Sequence, residues 1–266
     1  KSFTVRHWRI IMEIVEHKVK TLSEFVDYIN LCSKKEYTQF SNFDRILYRG
    51  HANKEWNCLP KLFRNAKWFN NEKTIINEII RRCPIEFEVL SAFEKLVKMQ
   101  HFGAPTRLLD FTGNPLIALY FACDDNTQLD KDGVVMVCSF PVFWEKQIPV
   151  EGLLKDVFPD FNNMFISINQ ENLSPLINSS NTLGLSVELK NERIRNQDGY
   201  FVLYTYHGEY TKIFNPLEEN NCIQERLIIP SECKRSILQE LSRCGINRAF
   251  VYPELENQII DILNRL

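Results

Sequence analysis

Four familiar signatures are missing from these 266 residues: GxGxxG, GxxxxGK followed by Ser or Thr, HExxH and GxSxG. Their absence argues against a typical Rossmann dehydrogenase, a P-loop NTPase, a zincin and an ordinary α/β-hydrolase, since each chemistry needs its glycines, histidines or nucleophile at that spacing. Metal-ligand spacing is missing too. The eight cysteines stand at 32, 58, 83, 123, 138, 222, 233 and 244 with no CxxC pair, and the histidines at 7, 17, 51, 101 and 207 are scattered, so no metal is expected. Reduced, mostly buried thiols and a cytoplasmic setting are the expectation. The formal net charge is only −2 and no long Lys/Arg run occurs, which argues against a dedicated nucleic-acid binder and leaves room for a local basic pocket. Within these residues no signal peptide, lipidation motif or long apolar run is visible, so no membrane partner is expected. The chain starts at Lys1 rather than Met, which leaves upstream sequence open.

What the chain does have is apolar bulk. Hydrophobic residues make up 44%, and 19 Phe, 9 Tyr and 4 Trp supply volume for a large core or an aromatic-lined pocket. Residues 3–33 read as helical, with Thr21 as an N-cap, Glu24 three residues on, and Leu22, Phe25, Val26 and Ile29 on one stripe. "DRILYRG" reads as a short strand closed by Gly50. "TIINEIIRRC" reads as an amphipathic helix stopped by Pro84, and residues 85–103 as a second helix ending at Gly103. "TRLLDFT" reads as a buried strand, followed by Asn114 as N-cap and Pro115 as first residue of the apolar helix "LIALYFAC". "DGVVMVCSF", "GYFVLYTYHG", "ERLIIP" and "INRAFVYP" read as strands. "SECKRSILQELSRCG" reads as a helix capped by Ser231 and stopped by Gly245, and "ELENQIIDILNRL" as a closing helix. Residues 141–190 read as irregular. Helices first and strands later, without a βαβ rhythm, argue for an α+β fold. No repeat or linker marks a boundary, so residues 1–266 are read as one domain, with an N-terminal helical region at 1–40, a core at 41–255 and a C-terminal helix at 256–266.

Three stretches carry residue types that packing alone does not call for: "YRGH" at 48–51 with Trp56, Leu59, Pro60 and Arg64 after it, "QHFGAPTRLLDFTGNPLIALYFA" at 100–122, and "RIRNQDGYFVLY" at 193–204. Together they resemble the FRG domain, a bacterial family named for an aromatic-Arg-Gly motif that stands here as Tyr48-Arg49-Gly50. The resemblance runs over roughly residues 21–255 and takes in "RLIIP" and the helix after it. The family in turn resembles the ADP-ribosyltransferase fold. Those enzymes carry an early strand with Arg or His, then a Ser/Thr-bearing strand leading into an apolar helix, then a catalytic Glu before a later strand. Arg49, "LDFT" before "LIALYFA", and Gln197 before "GYFVLY" fall in that order, with glutamine where the catalytic glutamate belongs.

The resemblance implies a split mixed/antiparallel sheet with flanking helices and an N-terminal helical elaboration. It also implies NAD as the substrate cofactor. Arg49 would hold the pyrophosphate or ribose by forked hydrogen bonds, Gly50 would let the backbone approach the ligand, and Thr112 and Asp110 would shape the nicotinamide-ribose pocket. Gln197 would hydrogen-bond the ribose without supplying charge, so Asp110, Glu192 or Asp198 would have to supply it. Tyr48, His51, Gln100, His101 and Arg107 are expected as further binding residues. The implied activity is transfer of ADP-ribose to a macromolecule, protein or RNA, or cleavage of NAD, in a toxin-like effector with anti-phage defence as one setting and an antitoxin or regulatory protein as a further partner. The alternative is a non-catalytic nucleotide- or protein-binding module on the same fold. Residue by residue the structural readings stay open: Arg49 as half of an ion pair, His101 as a helix-end cation, Thr112 and Gln197 as turn residues, Trp56 as a core anchor. Arg107 and Asp110, three apart on a strand, face opposite sides and cannot simply pair with each other.

Overall fold

One weak joint in an otherwise continuous sheet organises this protein. The computed structural model describes residues 14–34, 44–144, 182–188, 191–206, 209–212, 217 and 222–264. Among them are seven strands: β1 (Val15–Lys18), β2 (Asp44–His51), β3 (Leu108–Thr112), β4 (Gly133–Trp144), β5 (Thr182–Ser186), β6 (Gly199–Tyr204) and β7 (Ile223–Ile229). The helices are α1 (Leu22–Cys32), α2 (Ala66–Asn70), α3 (Glu72–Arg82), α4 (Ala92–His101), α5 (Pro115–Cys123), α6 (Glu192–Asn196), α7 (Lys234–Arg243), α8 (Arg248–Val251) and α9 (Leu255–Asn264). The strands join as one mixed sheet in the order β1-β7-β4-β2-β3-β6-β5. Its far end curls back, because the last residues of β4 also pair in parallel with β5, from Val142↔Gly184 to Trp144↔Ser186. The α+β expectation holds as a curled mixed sheet flanked by helices.

β2 pairs with β4 along its whole length, from Asp44↔Pro141 to His51↔Val134. β3 pairs equally fully with β6. Between β2 and β3 there is a single pair, Tyr48↔Thr112. Beyond it the strands part, so Arg49-Gly50-His51 and the first half of β3 border a gap in the sheet.

Side-chain alternation sorts the core onto two faces. Tyr48 packs with α5 and α7 on one face, and Leu108, Phe201 and Leu203 pack with α4 on that same face. Leu47, Leu109, Phe111, Met136 and Val202 build a second core on the other face, closed by Cys58, Leu62 and Phe63 from the segment after β2. Each such side chain contributes about 1.5–3 kcal/mol by leaving water.

Two helices frame the gap. α5 is apolar all round because it is buried all round, and it begins where the Asn114 side chain accepts the Leu116 N–H at 3.0 Å. It lies directly on β2: a Cβ on Gly50 would sit 1.8 Å from the Ala118 carbonyl oxygen. α4 starts later than its apolar pattern suggests, at a capping box in which Ser91 Oγ accepts from Glu94 N–H and Glu94 Oε2 accepts from Ser91 N–H.

Three local expectations are corrected. Val15–Lys18 is a strand rather than helix, because β7 presents an edge that it completes in parallel, Val15↔Glu225 to Lys18↔Ile228. "INRAFVYP" holds the short helix α8 instead of a strand, started by the Asn247 side chain accepting from Phe250 N–H at 3.0 Å. Ser231 makes no cap, since a 3-10 turn at Ser231–Cys233 feeds α7 directly; Gly245 does end it, at φ +83. The irregular reading of 141–190 gives way at its two described ends, the tail of β4 and β5, while the rest lies outside the described residues. The cysteines are free thiols, and Cys32, Cys58, Cys123, Cys138 and Cys222 are buried. Among the described residues no helix is long and apolar enough to cross a membrane.

Candidate functional site: a cleft through the split sheet

Where β2 and β3 separate, Arg49 spans the gap. Its Nη1 donates to the backbone carbonyl of Asp110, and its Nε donates to His51 Nε2 at 2.9 Å. Around this bridge opens a cavity of about 690 Å³, within the range of small-molecule sites. β2 lines it with Tyr48, Arg49, Gly50 and His51, and β3 with Asp110 and Thr112. α4 adds Gln100 and His101, and the turn after α6 adds Gln197. Arg49 and His51 belong to the second-core face of the sheet and Asp110 and Thr112 to the helix face. The cleft collects both because it passes through the split.

The second-core side is cationic. His51 is 4% exposed and its pKa is pushed down to about 2 by burial, then by Arg49 and Arg64, so the imidazole is neutral and accepts from Arg49. Arg64, on the open side, donates from Nε to the Leu59 carbonyl at 2.9 Å. Burial and the neighbouring Arg49 both lower its pKa, but a guanidinium keeps its charge. Among the described residues neither Arg49 nor Arg64 has a carboxylate partner. Trp56, 42% exposed, lines the same recess with its ring 6.1 Å from the His51 ring, an open shelf instead of a core anchor.

The helix-face side carries the carboxylates. Gln100 links Asp110 to the frame: its Nε2 donates to Asp110 Oδ1 at 2.8 Å while its Oε1 accepts from Thr106. Asp124, at the end of α5, also lines the cleft, and burial raises its carboxyl pKa against the pull of the Tyr120 hydroxyl and Arg248. Thr112 Oγ1 accepts from Asn114 N–H at 2.9 Å and donates to the Gln197 carbonyl at 2.5 Å, which ties β3 to the turn before β6. His101 ends α4 with Nε2 3.9 Å from Glu254, which also meets Arg193 at 3.3 Å. One acid thus joins two walls of the mouth.

Every expected site residue lines this cleft except Arg107. That guanidinium is buried behind β3, held by both Glu72 oxygens, with Nε 2.7 Å from Oε1, and by the Tyr204 carbonyl at 2.9 Å. It is a structural ion pair and leaves the pocket. Gly50 lines the cleft, and the space its missing Cβ frees is taken by α5. Gln197 caps α6 instead of opening a strand, and its amide Nε2 is committed to the Val251 carbonyl at 2.9 Å. Of the acids considered as substitutes for the absent glutamate, Asp110 lines the cavity and Glu192 and Asp198 do not. Asp198 shapes the turn, in the left-handed region at φ 45, with its carbonyl accepting from Gly113 N–H at 2.9 Å. Arg64, Trp56 and Asp124 are additions that sequence reasoning did not place in the site. Arg64 and Trp56 stood inside the quoted motif, and their exposure and their place on the cavity wall are what point to a role.

Residues 44–131 match the family model of the FRG domain. Over that third of its length the chain is similar to the FRG domain. The matched stretch supplies β2, the Trp56–Arg64 segment, α4, β3 and α5, hence both sides of the split and all of its cationic recess. The Gln197 wall comes from outside the match. No curated protein and no solved structure matches the chain.

Proposed function

We propose that this chain binds NAD in the split cleft and uses it in ADP-ribosyl chemistry, by transfer to a macromolecule or by cleavage of NAD. The observation that carries this reading is Arg49, a guanidinium that lines a dinucleotide-sized cavity with no carboxylate partner among the described residues. A diphosphate would replace that missing counter-charge by forked, charge-assisted hydrogen bonds. The resemblance to the ADP-ribosyltransferase fold supplies the chemistry. The bond between ribose C1′ and the pyridinium nitrogen breaks with its electron pair leaving on nicotinamide, and the acceptor or water adds to C1′ and loses a proton. The developing positive charge on the ribose calls for a nearby carboxylate. Asp110 and Asp124 are the two acids assigned to that task, since Gln197 brings no charge. A toxin-like role in anti-phage defence, with an antitoxin or regulatory protein as partner, rests on the resemblance alone.

The second reading, a non-catalytic nucleotide-binding module, is favoured by Gln197, whose amide is already spent on the Val251 carbonyl. Incubation with NAD labelled on its adenylate separates the two. Labelled protein or RNA means transfer, and free nicotinamide without labelled macromolecule means cleavage. Binding with neither product means the module, and no binding overturns the proposal.

A further inference from the structure

We infer that the cleft is polar along its length and sets the direction of the dinucleotide, with adenosine diphosphate at the Arg49, Arg64 and Trp56 end and the pyridinium on the Asp110 and Asp124 side. This inference rests on the NAD reading and deepens it. It starts from the separation of charge across the split. Arg49 and Arg64 lie on the second-core side with no carboxylate partner among the described residues, and His51 beside them is buried and supplies an acceptor instead of a negative charge. Asp110 and Asp124 line the helix-face side, where the two lining cations are each matched by a carboxylate, Lys98 by Glu86 at 2.6 Å and Arg193 by Glu254 at 3.3 Å; Asp110 accepts from a neutral amide, and Arg248 Nη1 stands 3.9 Å from Asp124.

NAD carries its own charge separation. The diphosphate is doubly negative, the adenine is uncharged and the nicotinamide ring is a cation. Two guanidiniums attract the diphosphate and repel the pyridinium, so the base that shares their recess is the adenine. Trp56 offers that base a surface. Its indole is 42% exposed where a core anchor would be hidden, it lines the cavity, and it stands beside His51 in the same recess. An exposed indole next to a phosphate-binding pair is the arrangement by which proteins hold a base by stacking without reading its edge. The pyridinium then reaches the acids through the split, which is also where the ribosyl cation would form.

Isothermal titration with NAD, ADP-ribose, nicotinamide mononucleotide and inorganic pyrophosphate tests the direction. Trp56→Ala should weaken NAD and ADP-ribose by one common factor, about 5- to 150-fold for a lost base stack, and leave the mononucleotide and pyrophosphate unchanged. Trp56→Phe, which keeps a ring, should bind as the unaltered chain does. Arg64→Gln should weaken pyrophosphate, ADP-ribose and NAD alike. Both side chains are exposed, so neither substitution should unfold the chain, and the melting temperature of each variant checks it. Trp56→Ala weakening the mononucleotide while sparing ADP-ribose would reverse the direction and overturn the inference, as would a variant that changes neither. In both cases NAD binding by the unaltered chain would survive. Failure of the unaltered chain to bind NAD at all would instead remove the functional reading, and this inference with it.

Discussion

Acidification should cost this protein stability through one side chain, His51. In the fold its pKa is pushed from an ordinary 6.5 down to about 2. Below pH 6.5 the unfolded chain therefore takes up a proton that the folded chain refuses. The stability this group contributes is complete above pH 6.5 and is lost as pH falls toward 2, at about 1.4 kcal/mol per pH unit. Between pH 6.5, where the unfolded ring is already half protonated, and pH 4.5 that amounts to about 2 kcal/mol. The ring is 4% exposed, so solvent screens little of it. Carboxylates titrate in the same range, and the His51→Gln variant removes their contribution by comparison: its amide oxygen can still accept from Arg49 Nε, but it takes up no proton. Urea unfolding at pH 6.5, 5.5 and 4.5 should show the unaltered protein losing about 2 kcal/mol more than the variant. Parallel profiles would mean that His51 titrates normally, and that the recess is neither as dry nor as cationic as its geometry indicates.

Three further outcomes follow from the same packing. Glu72→Ala leaves the Arg107 guanidinium buried without its carboxylate and should cost about 3–5 kcal/mol in urea unfolding, whereas a surface pair would cost under about 1. Gly50→Ala drives a methyl group into the Ala118 carbonyl, 1.8 Å away, and should cost about 3 kcal/mol or more by forcing α5 off β2; a melting temperature within a degree or two of the unaltered protein would show that the helix is not seated there. Asp198→Gly removes a left-handed non-glycine residue and should raise stability by about 1 kcal/mol, read as a higher urea midpoint, with the carbonyl that accepts from Gly113 unchanged.

Elements with their own punctuation were legible in the chain. Thr21, Asn114 with Pro115, and Gly245 mark helix ends by local chemistry, and the structure uses each of them: Thr21 accepts from Glu24 N–H, Asn114 from Leu116 N–H, and Gly245 takes a positive φ. Elements decided by distant partners were not. Val15–Lys18 is four residues with little strand signal, and it becomes a strand because β7, some two hundred residues away, needs a neighbour. "INRAFVYP" has the β-rich composition of a strand, but its cap residue Asn247 decides locally for a helix. The site divides the same way. The order of the Tyr-Arg-Gly, "LDFT" and "RNQDGYF" segments, read through the family resemblance, placed Arg49, Asp110, Thr112 and Gln197 on one cleft. Strand alternation already indicated that Arg107 and Asp110 part company, and it left Glu72 unnamed because nothing local links positions 72 and 107. Trp56 was misjudged since exposure is a property of the finished surface, and an indole in a sequence is more often core.

In the proposed function a guanidinium spanning the gap between β2 and β3 holds the diphosphate of NAD. A crystal structure of the protein grown with saturating NAD tests it most directly. Density is expected through the split, with phosphate oxygens within hydrogen-bond distance of Arg49 and the far ribose beside Asp110. Nucleotide density elsewhere on the molecule, or an empty cleft at saturating NAD with Arg49 still donating to the Asp110 carbonyl and His51, would contradict it.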